Sequence, residues 1–258
     1  MFGQWLRAGA LLAGFAAGLF DSSAEAATVK VAVASNFSAT AIQLANAFQT
    51  ATSDELQLAF ASTGKIHAQV LQHAPFEVFL SADAERPRQL EELGLAVNGT
   101  RFTYAMGRIA LYSSDPSFIT GPEILKSEKL HKLAIANPKT APYGVAAQQV
   151  IAALELSDDL NARLVLGENI AQAFQFVQSG NAQAGFVALA QIQASAAGSR
   201  WLVPAELHEP LRQDAVLLVK GMDNPAARAF LRFLAGETAR AIIASAGYAL
   251  PLVGEGSQ

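Results

Sequence analysis

Val29-Lys30-Val31-Ala32-Val33-Ala34-Ser35-Asn36-Phe37 opens as a β-branched apolar run and stops on two small polar residues. Beyond it the period changes. Ala41, Leu44, Ala45 and Phe48 fall at i, i+3, i+4 and i+7, the spacing that lines one face of a helix. The stretch reads strand, polar turn, helix. The same grammar returns at once: Leu56–Ala61 is strand-like, Ser62-Thr63-Gly64 is the turn, and Ile66–Gln72 is a short helix closed before Pro75. Phe76–Leu80 is a further buried strand ending in Ser81-Ala82-Asp83. Strands alternating with helices in this way predict an α/β fold with mostly parallel strands.

Past Gly94 strands become denser. Arg101–Ser113 contains the apolar run Ile109–Tyr112, and Leu133–Ala136 leads into Asn137-Pro138 and Ala141-Pro142-Tyr143-Gly144. A helix follows with Ala146, Val150, Ala153 and Leu154 on one face. Arg163–Leu166 is the next strand, ending in Gly167-Glu168-Asn169, from which Ile170–Gln178 reads as helix. Ala184–Ala188 and Ala215–Val219 are strands, and Ala226–Leu234 with Glu237–Ala244 make a helical C-terminus. The pattern predicts two α/β lobes joined by crossing strands near Thr103–Arg108 and Gln213–Val219. On that reading residues 27–105 and 216–258 form the first lobe and 106–215 the second.

The N-terminus has another character. Arg7 is followed by thirteen uncharged residues, Ala8 to Phe20, and then by a polar stretch ending Ala24-Glu25-Ala26. The apolar run is too short to span about 30 Å of hydrocarbon, and the small residues suit a signal peptidase, so residues 1–26 are expected to be a cleaved signal peptide. No cysteine stands near the cleavage point to carry a lipid, and a freely diffusing periplasmic protein is expected.

Composition removes several function classes. The 258 residues are 52% hydrophobic and 16% charged, with a net charge of −4, a mean hydropathy of +0.26 and a pI of about 5.6. No basic cluster offers a footprint for nucleic acid. The chain has no cysteine, which excludes disulfides, thiolate metal sites and cysteine nucleophiles. The four histidines, His67, His73, His131 and His208, show no metal-ligand spacing; His67 and His73 would lie about 240° apart on a helix, and all four are expected at the surface. There is no G-x-S-x-G elbow and no G-x-G-x-x-G, and Gly64-Lys65 lacks the rest of a P-loop. The chain is expected to be no enzyme and to carry no cofactor.

What does repeat is a small hydroxyl or amide residue between the end of a strand and the start of a helix. Ser35/Asn36, Ser62/Thr63/Gly64, Pro142/Tyr143/Gly144 and Glu168/Asn169/Ile170 all occupy that position. The first amide N–H groups of a helix have no intrahelical partner and carry roughly half a positive charge, so such an end receives an anion. Ser, Thr and Asn are also ordinary helix caps. Four such turns, two from each expected lobe, favour an anion site beyond the carboxyl ends of the strands, where ligands of open α/β sheets bind.

A resemblance sharpens this reading. Val31–Phe37, Ala61-Ser62-Thr63-Gly64, Ala74-Pro75-Phe76-Glu77-Val78-Phe79-Leu80-Ser81-Ala82-Asp83, Asn137-Pro138 with Ala141-Pro142-Tyr143-Gly144, Gly185-Phe186-Val187-Ala188 and Ala246-Gly247-Tyr248-Ala249-Leu250-Pro251 resemble the periplasmic molybdate-binding proteins of ABC importers. The likeness runs through the chain after residue 26. It implies a two-lobed type II periplasmic binding protein with a mixed, mostly parallel sheet in each lobe and two crossing hinge strands. It also implies a ligand, molybdate and with it tungstate, a membrane permease as partner, and a monomer. Carried over by position, the ligand-binding residues are Ser35 and Asn36 from the first turn, Ser62 and Thr63 from the second, Tyr143, and the backbone N–H of Ile170. Molybdenum is held only as the oxyanion, with no protein atom on the metal. Some members of the family place a tyrosine after the Gly-φ-Val strand; here that position is Ala188. A binding protein of the same fold for sulfate or another small oxyanion is the alternative reading.

Overall fold

The computed structural model describes residues 26–195 and 197–251; the expected signal peptide, but for its last residue, lies outside them. In chain order the elements are β1 (Thr28–Ala34), α1 (Ser38–Thr52), β2 (Glu55–Ala61), α2 (Thr63–Leu71), β3 (Val78–Leu80), α3 (Glu85–Glu92), β4 (Phe102–Gly107) and β5 (Ile109–Ser113). There follow β6 (Leu133–Ala136), α4 (Pro142–Ala153), α5 (Ser157–Leu160), β7 (Leu164–Gly167), α6 (Ile170–Gln178), β8 (Ala184–Ala188), α7 (Leu189–Ile192) and β9 (Ser199–Leu202). The chain closes with β10 (Leu211–Leu217), α8 (Pro225–Ala235) and α9 (Glu237–Ser245).

The strands form two five-stranded sheets with orders β2-β1-β3-β10-β4 and β7-β6-β8-β5-β9. In the first, β1 pairs in parallel with β2 and β3, and β10 runs antiparallel between β3 and β4. The second repeats the plan: β6 is parallel to β7 and β8, and β5 runs antiparallel between β8 and β9. The expected α/β fold with a mixed, mostly parallel sheet in each lobe is what the molecule has.

Alternation along β1 explains why the first sheet must be covered on both faces. Val29, Val31 and Val33 enter a core with Leu44 and Phe48 of α1, Phe230 and Leu231 of α8 and Ile243 of α9. Ala32 points the other way, into a smaller core with Ile66 and Val70 of α2, Phe79, and Leu90 of α3. Phe48 meets Phe230 and Phe233 edge-on at 5.4 and 5.5 Å. Each fully buried side chain of this size contributes about 1.5–3 kcal/mol. The second sheet shares one core with α4 and α6, and Ala34 and Ala82 of the first lobe reach into it.

The first crossing falls at Arg108, within the expected Thr103–Arg108, where Arg101–Ser113 divides into β4 of the first sheet and β5 of the second. The return to the first sheet departs from expectation and lies before Leu211, because β10 pairs with β4 from Leu211 opposite Gly107 through Ala215 opposite Phe102. Residues 211–215 therefore stand in the first sheet. Their polar sequence, Leu211-Arg212-Gln213-Asp214, conceals a strand whose Gln213 and Asp214 are both buried and sit at a β-bulge. Asp214 is satisfied there by Arg101 Nη1 at 2.7 Å and the Thr103 hydroxyl at 2.7 Å. Among the described residues no helix is long and apolar enough to cross a membrane.

Candidate functional site

The four turns meet where the two sheets face each other. Ser35-Asn36-Phe37 forms a single 3-10 turn between β1 and α1, and the second-lobe helices α6 and α7 pack against it. Ser62 and Thr63 begin α2, Pro142 and Tyr143 begin α4, and Ile170 begins α6. The amide of Gly64 in the second turn donates to the carbonyl of Thr140, just before the third, at 2.8 Å. The Lys65 ammonium pairs with the Glu168 carboxylate, joining the second turn to the fourth across the lobes.

Burial and hydrogen bonding separate caps from candidate ligands. Asn169 is an ordinary cap, its Oδ1 accepting from the amides of Ala171 at 2.9 Å and Gln172 at 3.1 Å. Ser62 occupies the N-cap position of α2, yet its side chain makes no capping bond. Its hydroxyl is buried without any hydrogen-bond partner. Such a group costs about 1–3 kcal/mol unless something else satisfies it. Thr63 is also buried, and its Oγ1 accepts from the Ala82 amide at 3.1 Å, which ties the second turn to the end of β3. Ser35, Asn36, Tyr143 and Ile170 are all at least nine-tenths buried.

Behind the turns lies a network that local sequence did not announce. The Asn36 amide nitrogen donates to Gln213 Oε1 at 3.0 Å and to the Tyr248 hydroxyl at 3.2 Å. Tyr248 donates in turn to the Asn36 carbonyl at 2.8 Å. The Tyr104 hydroxyl reaches Gln213 Oε1 at 3.2 Å and the Ser81 carbonyl at 3.1 Å. Gln213 Nε2 donates to the Tyr143 hydroxyl oxygen at 3.2 Å, spanning first lobe to second. Phe37 braces the group, edge-on to Tyr104 at 4.9 Å and to Tyr248 at 5.2 Å. Tyr248 belongs to the terminal Ala246–Pro251 motif, whose backbone bridge between Ala249 and Met106 carries it behind Asn36.

Space is tight at this junction. A Cβ on Gly107 would stand 2.5 Å from the Tyr143 oxygen and 2.7 Å from Gln213 Nε2, so any side chain there would displace the Tyr143–Gln213 pair. A Cβ on Gly144 would strike the Ala136 carbonyl, which makes that glycine the condition for α4 starting hard against β6. Burial pushes the Tyr143 hydroxyl far above the ordinary tyrosine range, against a smaller opposing effect of the Gln213 and Asn36 amides. Burial likewise raises Tyr104 and Tyr248. All three remain neutral donors at any physiological pH.

Among the described residues, neither lysine nor arginine supplies a side chain to the bonds of this cluster. Among the described residues no three His, Cys, Asp or Glu side chains gather as a metal site. Of the histidines expected at the surface, His73 and His131 are exposed, but His67 is half-buried beneath α3. Its Nε2 is buried without a partner.

The family model described as bacterial extracellular solute-binding protein matches residues 29–249. The molybdate-binding protein ModA of Azotobacter vinelandii is 47% identical over 244 residues, covering 93% of this chain and 97% of its own. ModA of Rhodobacter capsulatus is 43% identical over 247 residues, covering 96% and 98%. Among solved structures, the periplasmic molybdate-binding protein of A. vinelandii superposes with a TM-score of 0.84 at 40% identity, covering 86% of this chain and 99% of that one.

Proposed function

Because this chain belongs to the bacterial extracellular solute-binding protein family, we propose that it captures molybdate, and tungstate with it, and delivers the anion to the permease of an ABC importer. The observation that carries this reading is the buried Ser62 hydroxyl, left without a partner among uncharged donors drawn from both lobes. Ser35, Asn36, Ser62, Thr63, Tyr143 and the Ile170 amide are the residues assigned to the anion. They supply donors and no formal charge.

A buried dianion is tolerated only when its oxygens are all hydrogen-bonded. Roughly six to eight charge-assisted bonds of about 1.5–3 kcal/mol each exceed, in gross sum, the roughly 8–10 kcal/mol of a sub-micromolar complex, with the remainder consumed by ordering. Selectivity follows from proton count. Molybdate and tungstate carry no proton at neutral pH and suit a cage of donors, whereas phosphate keeps a proton that seeks an acceptor. Sulfate is also bare, and shorter bonds leave it out of reach of some donors in a cage set for the metalate.

The ligand acts by closure. Each lobe holds part of the cage, so the anion favours the state in which the lobes meet. On this reading the protein works in the periplasm after removal of residues 1–26, without a lipid anchor, as a monomer, and performs no chemistry on its cargo. Isothermal titration with molybdate, tungstate and sulfate tests it: molybdate and tungstate are expected to bind far more tightly than sulfate, and the reverse order would dismiss the reading. The pair Ser35→Ala with Tyr143→Phe is expected to weaken molybdate at least tenfold in a folded protein. Unchanged affinity would return the turns to the role of caps.

A further inference from the structure

Gln213 is fully buried at the bulge of β10 and touches one assigned ligand residue from each lobe, Asn36 and Tyr143. The directions of the bonds that run from Tyr248 through Asn36 and Gln213 to Tyr143 follow from one backbone carbonyl. Tyr248 gives its single hydroxyl hydrogen to the Asn36 carbonyl, so its oxygen faces the Asn36 side chain as an acceptor. The Asn36 atom opposite it must therefore be the amide nitrogen. That nitrogen also faces Gln213, which must present its carbonyl oxygen. The Tyr104 hydroxyl lies near the same oxygen and shares its one hydrogen between it and the Ser81 carbonyl. The Gln213 amide nitrogen is thereby turned toward Tyr143, whose oxygen becomes an acceptor and whose own hydrogen points away from Gln213.

We propose that Gln213 is a positioning residue that fixes the Tyr143 hydroxyl as an obligate donor, and so makes the cage selective for an oxyanion without a proton. This rests on the molybdate reading above and deepens it. A tyrosine hydroxyl can ordinarily donate or accept. With its lone pair occupied by Gln213 Nε2 it offers the anion only a hydrogen, and a protonated oxyanion finds no acceptor at that corner. The same glutamine transmits the polarity of the first-lobe turn to the second lobe, so the donor pattern is completed when the lobes meet.

A double-mutant cycle on the full protein, read by titration with sodium molybdate, tests the inference. Gln213→Met is expected to weaken molybdate at least fivefold and Tyr143→Phe at least tenfold. The double variant should bind clearly better than the product of the two single effects, because much of what Gln213 does passes through that hydroxyl and only its contact with Asn36 remains to be lost. Multiplying effects, or an unchanged affinity in Gln213→Met, would overturn it. Should Gln213→Met not fold, the cycle is run with Gln213→Asn, whose shorter side chain keeps an uncharged amide at the bulge but draws it back from the Tyr143 oxygen. The same non-additivity is then expected, and additivity would again overturn the proposal. A wild-type protein that ignores molybdate but binds another oxyanion would sink the functional reading alone, and the cycle would be repeated with that anion.

Discussion

At the scale of the residue, Ser62 is the side chain whose two roles can be told apart. A serine at an N-cap normally accepts from the second or third amide of its helix, and replacing it by alanine costs about 1 kcal/mol. Here the hydroxyl makes no such bond and is buried without a partner. Removing an unsatisfied buried polar group relieves its desolvation cost. Ser62→Ala is therefore expected to leave the ligand-free protein as stable as the wild type, or more stable by about 1 kcal/mol, while weakening molybdate roughly tenfold or more. Thermal melting without ligand, set beside titration, reads both halves; a drop in ligand-free stability at unchanged affinity would make Ser62 a cap after all. Asn169→Ala is the control, because Asn169 does cap α6 and its loss is expected to cost about 1 kcal/mol. The sequence placed all four turns, since each is a local signal. It could not separate Ser62 from Asn169, since the difference lies in which backbone amides each oxygen reaches.

At the scale of the element, what was legible is what recurs within about ten residues. β1, α1, β2 and α2 follow from apolar runs and period changes that neighbouring residues carry together. α3, β9 and the first half of β10, residues 211–214, do not. α3 reads Glu85-Arg86-Pro87-Arg88-Gln89-Leu90-Glu91-Glu92, almost wholly polar, with a proline tolerated in its first turn; Arg88 pairs with Glu85 and Glu92 on its outer face, and Leu90 with Pro87 makes up its buried side. β10 hides behind the buried Gln213 and Asp214, whose side-chain partners lie 70 to 177 residues away. The α2–α3 contact carries a further prediction. Burial, and then the nearby Arg86 charge, lower the His67 pKa from its ordinary 6.5, with Asp83 opposing. The unfolded chain then takes up a proton more readily than the folded one, so His67 costs stability as pH falls below about 6.5 and costs nothing above it. His67→Gln is expected to flatten the fall in Tm between about pH 7 and about pH 5. Parallel Tm profiles for wild type and variant would show that His67 does not contribute.

At the scale of the whole molecule, the two sheets repeat one plan, and the contacts between them divide into an inner group and a surface pair. The inner group is the buried Gln213 with Tyr143, and the half-buried backbone bond from Gly64 to Thr140; these join uncharged groups, so salt affects them little. The surface pair is Lys65 with Glu168, each about half exposed. Half-exposed ion pairs are worth about 0.2–1 kcal/mol and weaken with salt. The Lys65–Glu168 pair forms only when the lobes are together, so its free energy belongs to the closed state and acts on opening rather than on the cage itself. Lys65→Gln is accordingly expected to speed molybdate release by about 1.4- to 5-fold at low ionic strength, the kinetic equivalent of that energy. The acceleration should fade as salt approaches about 1 M, where the Debye length is about 3 Å. Stopped-flow release measured across an ionic-strength series decides it. An acceleration that persists unchanged in high salt would mean that Lys65 serves the closed state through packing of its alkyl stem, and no change at any salt would mean that opening is governed by the inner contacts alone.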